Sequence, residues 1–505
     1  MIFCSRVNNP IAFIKKLDKA FYNMNIWVVN PFDQLPNESD VPLRYWSLCR
    51  TFAEQGHSVI WWSSDFAHLS KTKRESCEDV DGFSIRLVKT PAYTKNISLA
   101  RLRNHKCFAE GFLHDAIAGL ESGELNAPDR IIVSLPPLGV AESAFQIRDH
   151  LIKIESRKLT VGHTNLTSPC EVVVDIMDAW PEVFYQVLPK PMRKYLGPIV
   201  FSTMHRRAKR AYLGADKISG VGQSYLDLAK RYLQSQTKMR KSLTEESPRQ
   251  KPLHLCYHGT DLSRFDRKNN FDKDTSYQVV STLNQPINNS IRAIERSQNI
   301  PLRAVYLGSM GSGYDLQTII DTARLWKNEN IFPFQIHFAG VGPQLEMLKA
   351  RCKDLGLLTS TEASGYVTRG KTLDSVSGLA PSISRVVFHG YLRKDAISEL
   401  LLSAHIALVA NRPDSLVACP YKAGEYAAAS LPMISCLGGE LGQLLEKWKA
   451  GTEYLEGNSE SLYFAFQRYS NNKTLEQHSS NALDLAEELF DRDRTYLDLA
   501  KFILS

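Results

Sequence analysis

Short apolar runs recur along this chain, each leading into a polar or Gly/Pro-rich loop and then a stretch of helical period. In the first half they fall at 25–30, 58–62, 83–88, 130–134, 171–175 and 217–221. In the second half they fall at 303–307, 334–340, 386–390, 406–410 and 432–436. Near-continuous apolar runs suit the strands of a parallel sheet, because helices cover both of its faces. Alternation of such runs with helical stretches, as at 42–55 before Gly56, predicts an α/β chain with parallel sheets. The rhythm breaks at 236–300, a Ser/Asn/Gln/Lys/Arg-rich stretch with one strand-like piece at 253–257. It breaks again at 355–384, which is rich in Ser, Thr and Gly. The expected organisation is therefore an extension at 1–23, a Rossmann-like domain at 24–235 and a linker with a polar insertion at 236–300. A second Rossmann-like domain at 301–480 and a helical tail at 481–505 complete it, with the two domains facing across a cleft.

Composition narrows the class. With 505 residues, 43% hydrophobic and 23% charged, the chain can bury sizeable cores. A formal charge of +7 is mild for this length, and no basic-aromatic signature of nucleic-acid binding is present. The nine cysteines are scattered and never spaced C-x-x-C, which suits reduced core residues rather than a disulfide framework or a zinc site. No run approaches the ~18 apolar residues of a membrane span, and the first 22 residues lack the apolar core of a signal peptide. A cytoplasmic protein is expected.

Candidate chemistry concentrates in the second half. In the run Pro420-Tyr421-Lys422-Ala423-Gly424-Glu425, Lys422 and Glu425 stand three residues apart on one helix face. A helix start offers free N–H groups suited to phosphate, a lysine adds charge for a diphosphate, and a carboxylate accepts from sugar hydroxyls. The plain reading is a surface ion pair on an Ala-rich helix. Gly308, Gly311 and Gly313 follow a strand and precede a helix, without the spacing of an ATP-type or dinucleotide loop. Gly340 and Gly342 form another strand-to-helix turn. Ligands collect at the carboxyl ends of strands in such sheets, so three features in one domain favour a nucleotide site.

These residues resemble the carboxyl-terminal domain of family 4 glycosyltransferases, which have the GT-B fold. The matching pieces are Val305-Tyr306-Leu307-Gly308, Phe338-Ala339-Gly340-Val341-Gly342-Pro343, Phe388-His389-Gly390-Tyr391 and the 420–428 segment. Gln55-Gly56-His57-Ser58-Val59 resembles the entry that follows the first helix of these enzymes, while Ser63-Ser64-Asp65-Phe66-Ala67-His68, Ser134-Leu135-Pro136-Pro137-Leu138 and Asp178-Ala179-Trp180-Pro181-Glu182 resemble a subgroup acting in surface polysaccharide assembly. The resemblance implies transfer of a sugar, with retention, from a UDP- or GDP-linked donor to a glycan or lipid-linked acceptor. It implies no metal and no further cofactor. It places Glu425 at the donor ribose, Lys422 at the diphosphate, 308–313 around the phosphates and 340–343 beside the nucleoside. Lys422, Glu425 and Asp178 are then the candidate catalytic residues, and Arg44, His68, Asp178 and Glu182 face the acceptor.

The chain departs from that family in places. Val417 stands where relatives carry a glutamate eight residues before Glu425, and Ser309, Met310 and Ser312 replace basic loop residues. A sugar-nucleotide epimerase of the same architecture and a catalytically degenerate scaffold are the competing readings. Two readings also fit 189–210, where basic residues flank an apolar run: a peripheral contact with an anionic lipid surface, or a solvated basic helix face.

Overall fold

The structure is a computed structural model that describes residues 23–39, 41–75, 80–96, 98–159, 170–240, 251–265, 301–328, 334–358 and 385–505. The expected extension and most of the two expected insertions lie outside these residues. Thirteen strands among them form two parallel sheets. The first holds β1 (Asn25–Val29), β2 (Ser58–Ser64), β3 (Ser84–Val88), β4 (Arg130–Leu135), β5 (Glu171–Ile176), β6 (Lys217–Gly220) and β7 (Leu253–Leu255), in the order β3-β2-β1-β4-β5-β6-β7. The second holds β8 (Leu302–Leu307), β9 (Phe334–Ala339), β10 (Val386–Gly390), β11 (Ile406–Val409), β12 (Met433–Ser435) and β13 (Gly451–Glu453), in the order β10-β9-β8-β11-β12-β13. Both orders reverse direction next to their first strand, the topology that opens a crevice beyond the strand ends.

The central strands are buried on both faces, as their continuous apolar runs require. Ile26, Val28 and Val29 of β1 and Ile131 to Val133 of β4 are inaccessible. Helices Leu99–Ser122 and Leu138–Leu159 accompany the first sheet, and Phe112 packs edge-on to Trp62 at 5.2 Å. Around the second sheet, Trp326 lies 5.0 Å from Phe466 and 5.3 Å from Phe334, sealing the far face of the core. Among the described residues seven cysteines are unpaired, and six of them are buried. Burial pushes the Cys170, Cys352 and Cys436 thiols up to about 12, so they behave as small core hydrophobes.

Two compact units divide the chain. One comprises 1–174, 214–217 and 503–505; the other comprises 175–213 and 218–502. In the first, the Ile503 carbonyl accepts from Arg130 Nε at 3.2 Å and from Lys217 Nζ at 3.1 Å, and both cations also pair with Glu171 at 3.3 Å. Cations at the last carbonyls of the helix Arg492–Leu504 satisfy orphan acceptors and oppose the negative dipole end. The same unit holds the 30–38 and 65–75 loops. The second holds the six-stranded sheet, every glycine turn singled out above, and the 175–213 stretch.

Candidate functional site

Two glycine turns lock together at the carboxyl ends of β8 and β9. Gly308 has φ 141° and Gly340 φ 138°, both in the region that favours glycine. A Cβ on Gly340 would collide with the Gly308 carbonyl oxygen, and one on Gly342 would sit 2.6 Å from the Met310 nitrogen. The two turns therefore meet backbone to backbone. Gly308 donates to the Ala339 carbonyl at 2.9 Å, Met310 to Val341 at 3.0 Å, and Gln344 to Met310 at 2.9 Å. Gly311 and Gly313 differ from these. A Cβ at Gly313 would meet nothing within 4 Å, and one at Gly311 only the Ser309 hydroxyl at 3.8 Å. Local packing does not require glycine at either position, which leaves open backbone at the loop.

The helix Tyr421–Ala428 brings Lys422 to this place. Pro420 sits at its N-cap with no side-chain cap, and its first turn carries no acid. Part of the Lys422 stem is accessible, yet its Nζ is buried and has no hydrogen-bond partner among the described residues. Nζ lies 4.7 Å from the centroids of both the Tyr306 and Tyr314 rings. It also stands over Gly308, where an added Cβ would be 2.6 Å away. Two ring faces attract an ammonium but do not replace its water hydrogen bonds. Burial accordingly pulls the Lys422 pKa down to about 7, against an opposing pull from Glu425.

Glu425, one turn on, is differently placed. Its Oε1 accepts from Arg264 Nη1 at 2.9 Å, and both side chains are buried. Arg264 Nη2 also donates to Ser398 Oγ at 3.3 Å. Sequence reasoning missed Arg264, which lies in the short turn Leu262–Phe265, within the stretch expected to be a linker. The ring pair around Lys422 was missed too, since Tyr306 points off a strand whose apolar run looks like any other. Gly424 allows the helix to press against Thr260, whose hydroxyl would meet a Cβ there.

The other expected site residues divide between the units. In the second unit, Asp178 follows β5 and accepts from the Ala179 amide at 2.9 Å. Its charge helps raise the pKa of Tyr225, behind burial as the main cause. The Tyr225 hydroxyl donates to the Leu416 carbonyl and accepts from the Ala418 amide, both at 3.2 Å, so Asp178 neighbours the loop that leads into the Lys422 helix. Glu182 opens the turn Glu182–Val187 and takes a long, 3.5 Å contact from the Tyr232 hydroxyl; burial raises its pKa. Trp180 is a core residue, 4.4 Å from Phe184.

In the first unit, Arg44 is buried at the start of the helix Arg44–Glu54. His68 lies in the loop after β2. Its Nδ1 bonds to the Tyr93 hydroxyl and its ring meets Phe32 edge-on at 5.4 Å. Burial, then the charges of Lys71, Arg101 and Arg74, lower its pKa to about 4, leaving it neutral at physiological pH. Among the described residues no group of three or more His, Cys, Asp or Glu is arranged to hold a metal ion.

No protein-family model matches the chain, and no curated protein matches it. Solved structures do. Sucrose-phosphate synthase from Thermosynechococcus elongatus superposes with a TM-score of 0.57 at 14% identity, covering 95% of this chain and 98% of that one. HepE from Anabaena in complex with UDP gives 0.54 at 12% identity, covering 95% and 98%. WaaG, a glycosyltransferase involved in lipopolysaccharide biosynthesis, gives 0.53 at 12% identity, covering 94% and 99%. At such identities the likeness establishes the fold: the chain has the two-domain α/β GT-B architecture of these glycosyltransferases.

Proposed function

We propose that this chain is a retaining glycosyltransferase that moves a sugar from a nucleotide-sugar donor to a glycan or lipid-linked acceptor in surface polysaccharide assembly. The observation that carries the reading is the Lys422 ammonium, buried without a hydrogen-bond partner over the Gly308 turn at the end of a parallel sheet. A buried unpaired cation is costly to a fold and is expected where an anion completes the site. A diphosphate supplies that anion. The uncapped N–H groups of the Tyr421–Ala428 helix add further donors. HepE, solved with UDP and with UDP-glucose, is a fold neighbour that binds such a donor.

In this reading Lys422 and the helix start stabilise the charge that grows on the departing diphosphate, with no metal involved. The 308–313 loop lies along the phosphates, and the 340–343 turn borders the nucleoside. Glu425 receives the ribose hydroxyls on the carboxylate oxygen that Arg264 does not hold. Asp178 acts from the acceptor side together with Glu182, Arg44 and His68. The enzyme works in the cytoplasm. Val417 favours one second reading, a relative that binds donor but does not turn it over.

Calorimetric titration with UDP-, GDP- and related sugars tests the proposal, followed by product analysis with candidate acceptors. Donor binding with acceptor-dependent product supports the transferase, and binding without turnover supports the degenerate relative. If no nucleotide sugar binds, the site assignment fails.

A further inference from the structure

The helix Arg193–Val200 is turned the wrong way for a core. Its one buried residue is Gly197, where a Cβ would meet the Tyr185 ring at 2.7 Å. At 3.6 residues per turn, Met192, Tyr195 and Ile199 lie about 160–220° around the axis from Gly197, on the opposite side. They are 50%, 72% and 69% exposed, and Leu196 and Val200 of the same helix are exposed as well, as is Val187 in the turn before it. An apolar stripe on a helix normally faces the interior. Here glycine faces the interior and the stripe faces out.

The segment is also held in place. Arg193 donates to the Leu188 carbonyl at 3.0 Å and pairs with Asp414 at 3.3 Å, and Gln186 Nε2 donates to the Asp414 carbonyl at 2.6 Å. The Tyr185 ring stacks on Phe201 at 5.9 Å, and its hydroxyl bonds to His205 Nε2 at 2.6 Å. The stripe is thus preformed, and little ordering is needed to use it. Between Glu182 and Asp216 the chain has no Asp or Glu. Exposed Lys190, Lys194 and Arg206 carry no ion pair among the described residues.

We infer that this face docks on an anionic phospholipid bilayer, with Met192, Tyr195 and Ile199 entering the headgroup boundary and the basic residues meeting lipid phosphates. Charge decides the occupant. A second copy packed on this segment would bring together two stretches that carry cations and no acid, whereas an anionic bilayer neutralises them. The inference does not depend on the transferase reading, because membrane binding is measured without donor or acceptor.

Flotation of the full chain with vesicles of phosphatidylcholine plus about one-third phosphatidylglycerol tests it, against phosphatidylcholine alone. At roughly 1 kcal/mol per cation near an anionic surface, three free cations give a preference on the order of 100-fold, weakened by salt. The double variant Tyr195→Ser, Ile199→Ser is expected to lose at least about tenfold in binding to the anionic vesicles. The double variant Lys190→Glu, Lys194→Glu is expected to lose the preference for them. All four residues are exposed, and unchanged unfolding midpoints verify that both variants fold. No vesicle binding, or equal binding by wild type and the serine variant, overturns the inference. So does a solution dimer that Ile199→Ser dissociates, which would assign the face to a second copy.

Discussion

At the carboxyl ends of the first sheet's strands, Lys71 Nζ donates to Asn96 Oδ1 at 2.7 Å, Lys73 pairs with Asp65 at 2.7 Å, and buried Arg74 pairs with Glu38 at 2.9 Å. At the corresponding ends of the second sheet, Lys422 has only the faces of Tyr306 and Tyr314. The folds are alike and the residue types overlap, yet the first edge gives its cations hydrogen-bond partners from its own side chains, two of them carboxylates, and the second leaves one waiting. A self-satisfied edge stabilises a domain. An edge with an unpaired buried ammonium gives up stability and gains an anion site. The contrast repeats on one helix: Lys422 is unpaired, while Glu425 one turn later is held by Arg264.

The largest effect is expected where a satisfied group loses its partner. Arg264→Ala leaves the Glu425 carboxylate buried and unpaired, and should lower stability by about 3–5 kcal/mol in denaturant unfolding. A loss below ~1 kcal/mol would mean that this pair is as dispensable as an exposed one. Next, Gly340→Ala forces a side chain at φ 138° into the Gly308 carbonyl, at a cost on the order of 3 kcal/mol. Gly313→Ala, with open space around it, should change stability by less than about 0.5 kcal/mol. Equal effects at the two positions would remove the distinction between the locked turns and the open loop. A further effect is protonic. Burial lowers the folded-state pKa of Lys422 from its usual 10.5 to about 7, so the unfolded chain binds more protons between those values. Its contribution to stability therefore becomes more favourable as pH rises through that window and is least favourable below about pH 7. A diphosphate reverses the shift. Donor binding at pH 8 should take up close to one proton, read by calorimetry in buffers of different ionisation enthalpy.

Much of this was legible in the chain. The eleven main apolar runs became strands within one or two residues of their expected ends, because parallel strands buried on both faces need such runs. The edges were harder. Gly451–Glu453 carries no apolar run and is strand only through pairing with β12. Leu253–Leu255, read as a piece of linker, joins the first sheet beside β6. The helix in which Lys422 and Glu425 stand was readable from their spacing. Their different fates were not, since Arg264 lies 161 residues from Glu425 and Tyr306 and Tyr314 meet Lys422 only through the fold. Glycine content marked the two turns, but only the structure separates Gly308, Gly340 and Gly342, which packing demands, from Gly311 and Gly313, which it does not. The outward stripe at 192–199 was visible as composition, while its direction depends on Gly197 meeting Tyr185.

The central claim is that Lys422 is kept for an anion rather than for the fold. Lys422→Met tests it in one pair of measurements, thermal unfolding and calorimetric titration with the nucleotide sugar that binds the wild type. The expected result is an unfolding midpoint equal to or above wild type, because a buried unpaired charge is gone, with donor affinity reduced about 10–100-fold. A lowered midpoint with unchanged donor affinity would contradict the account and make Lys422 a structural residue.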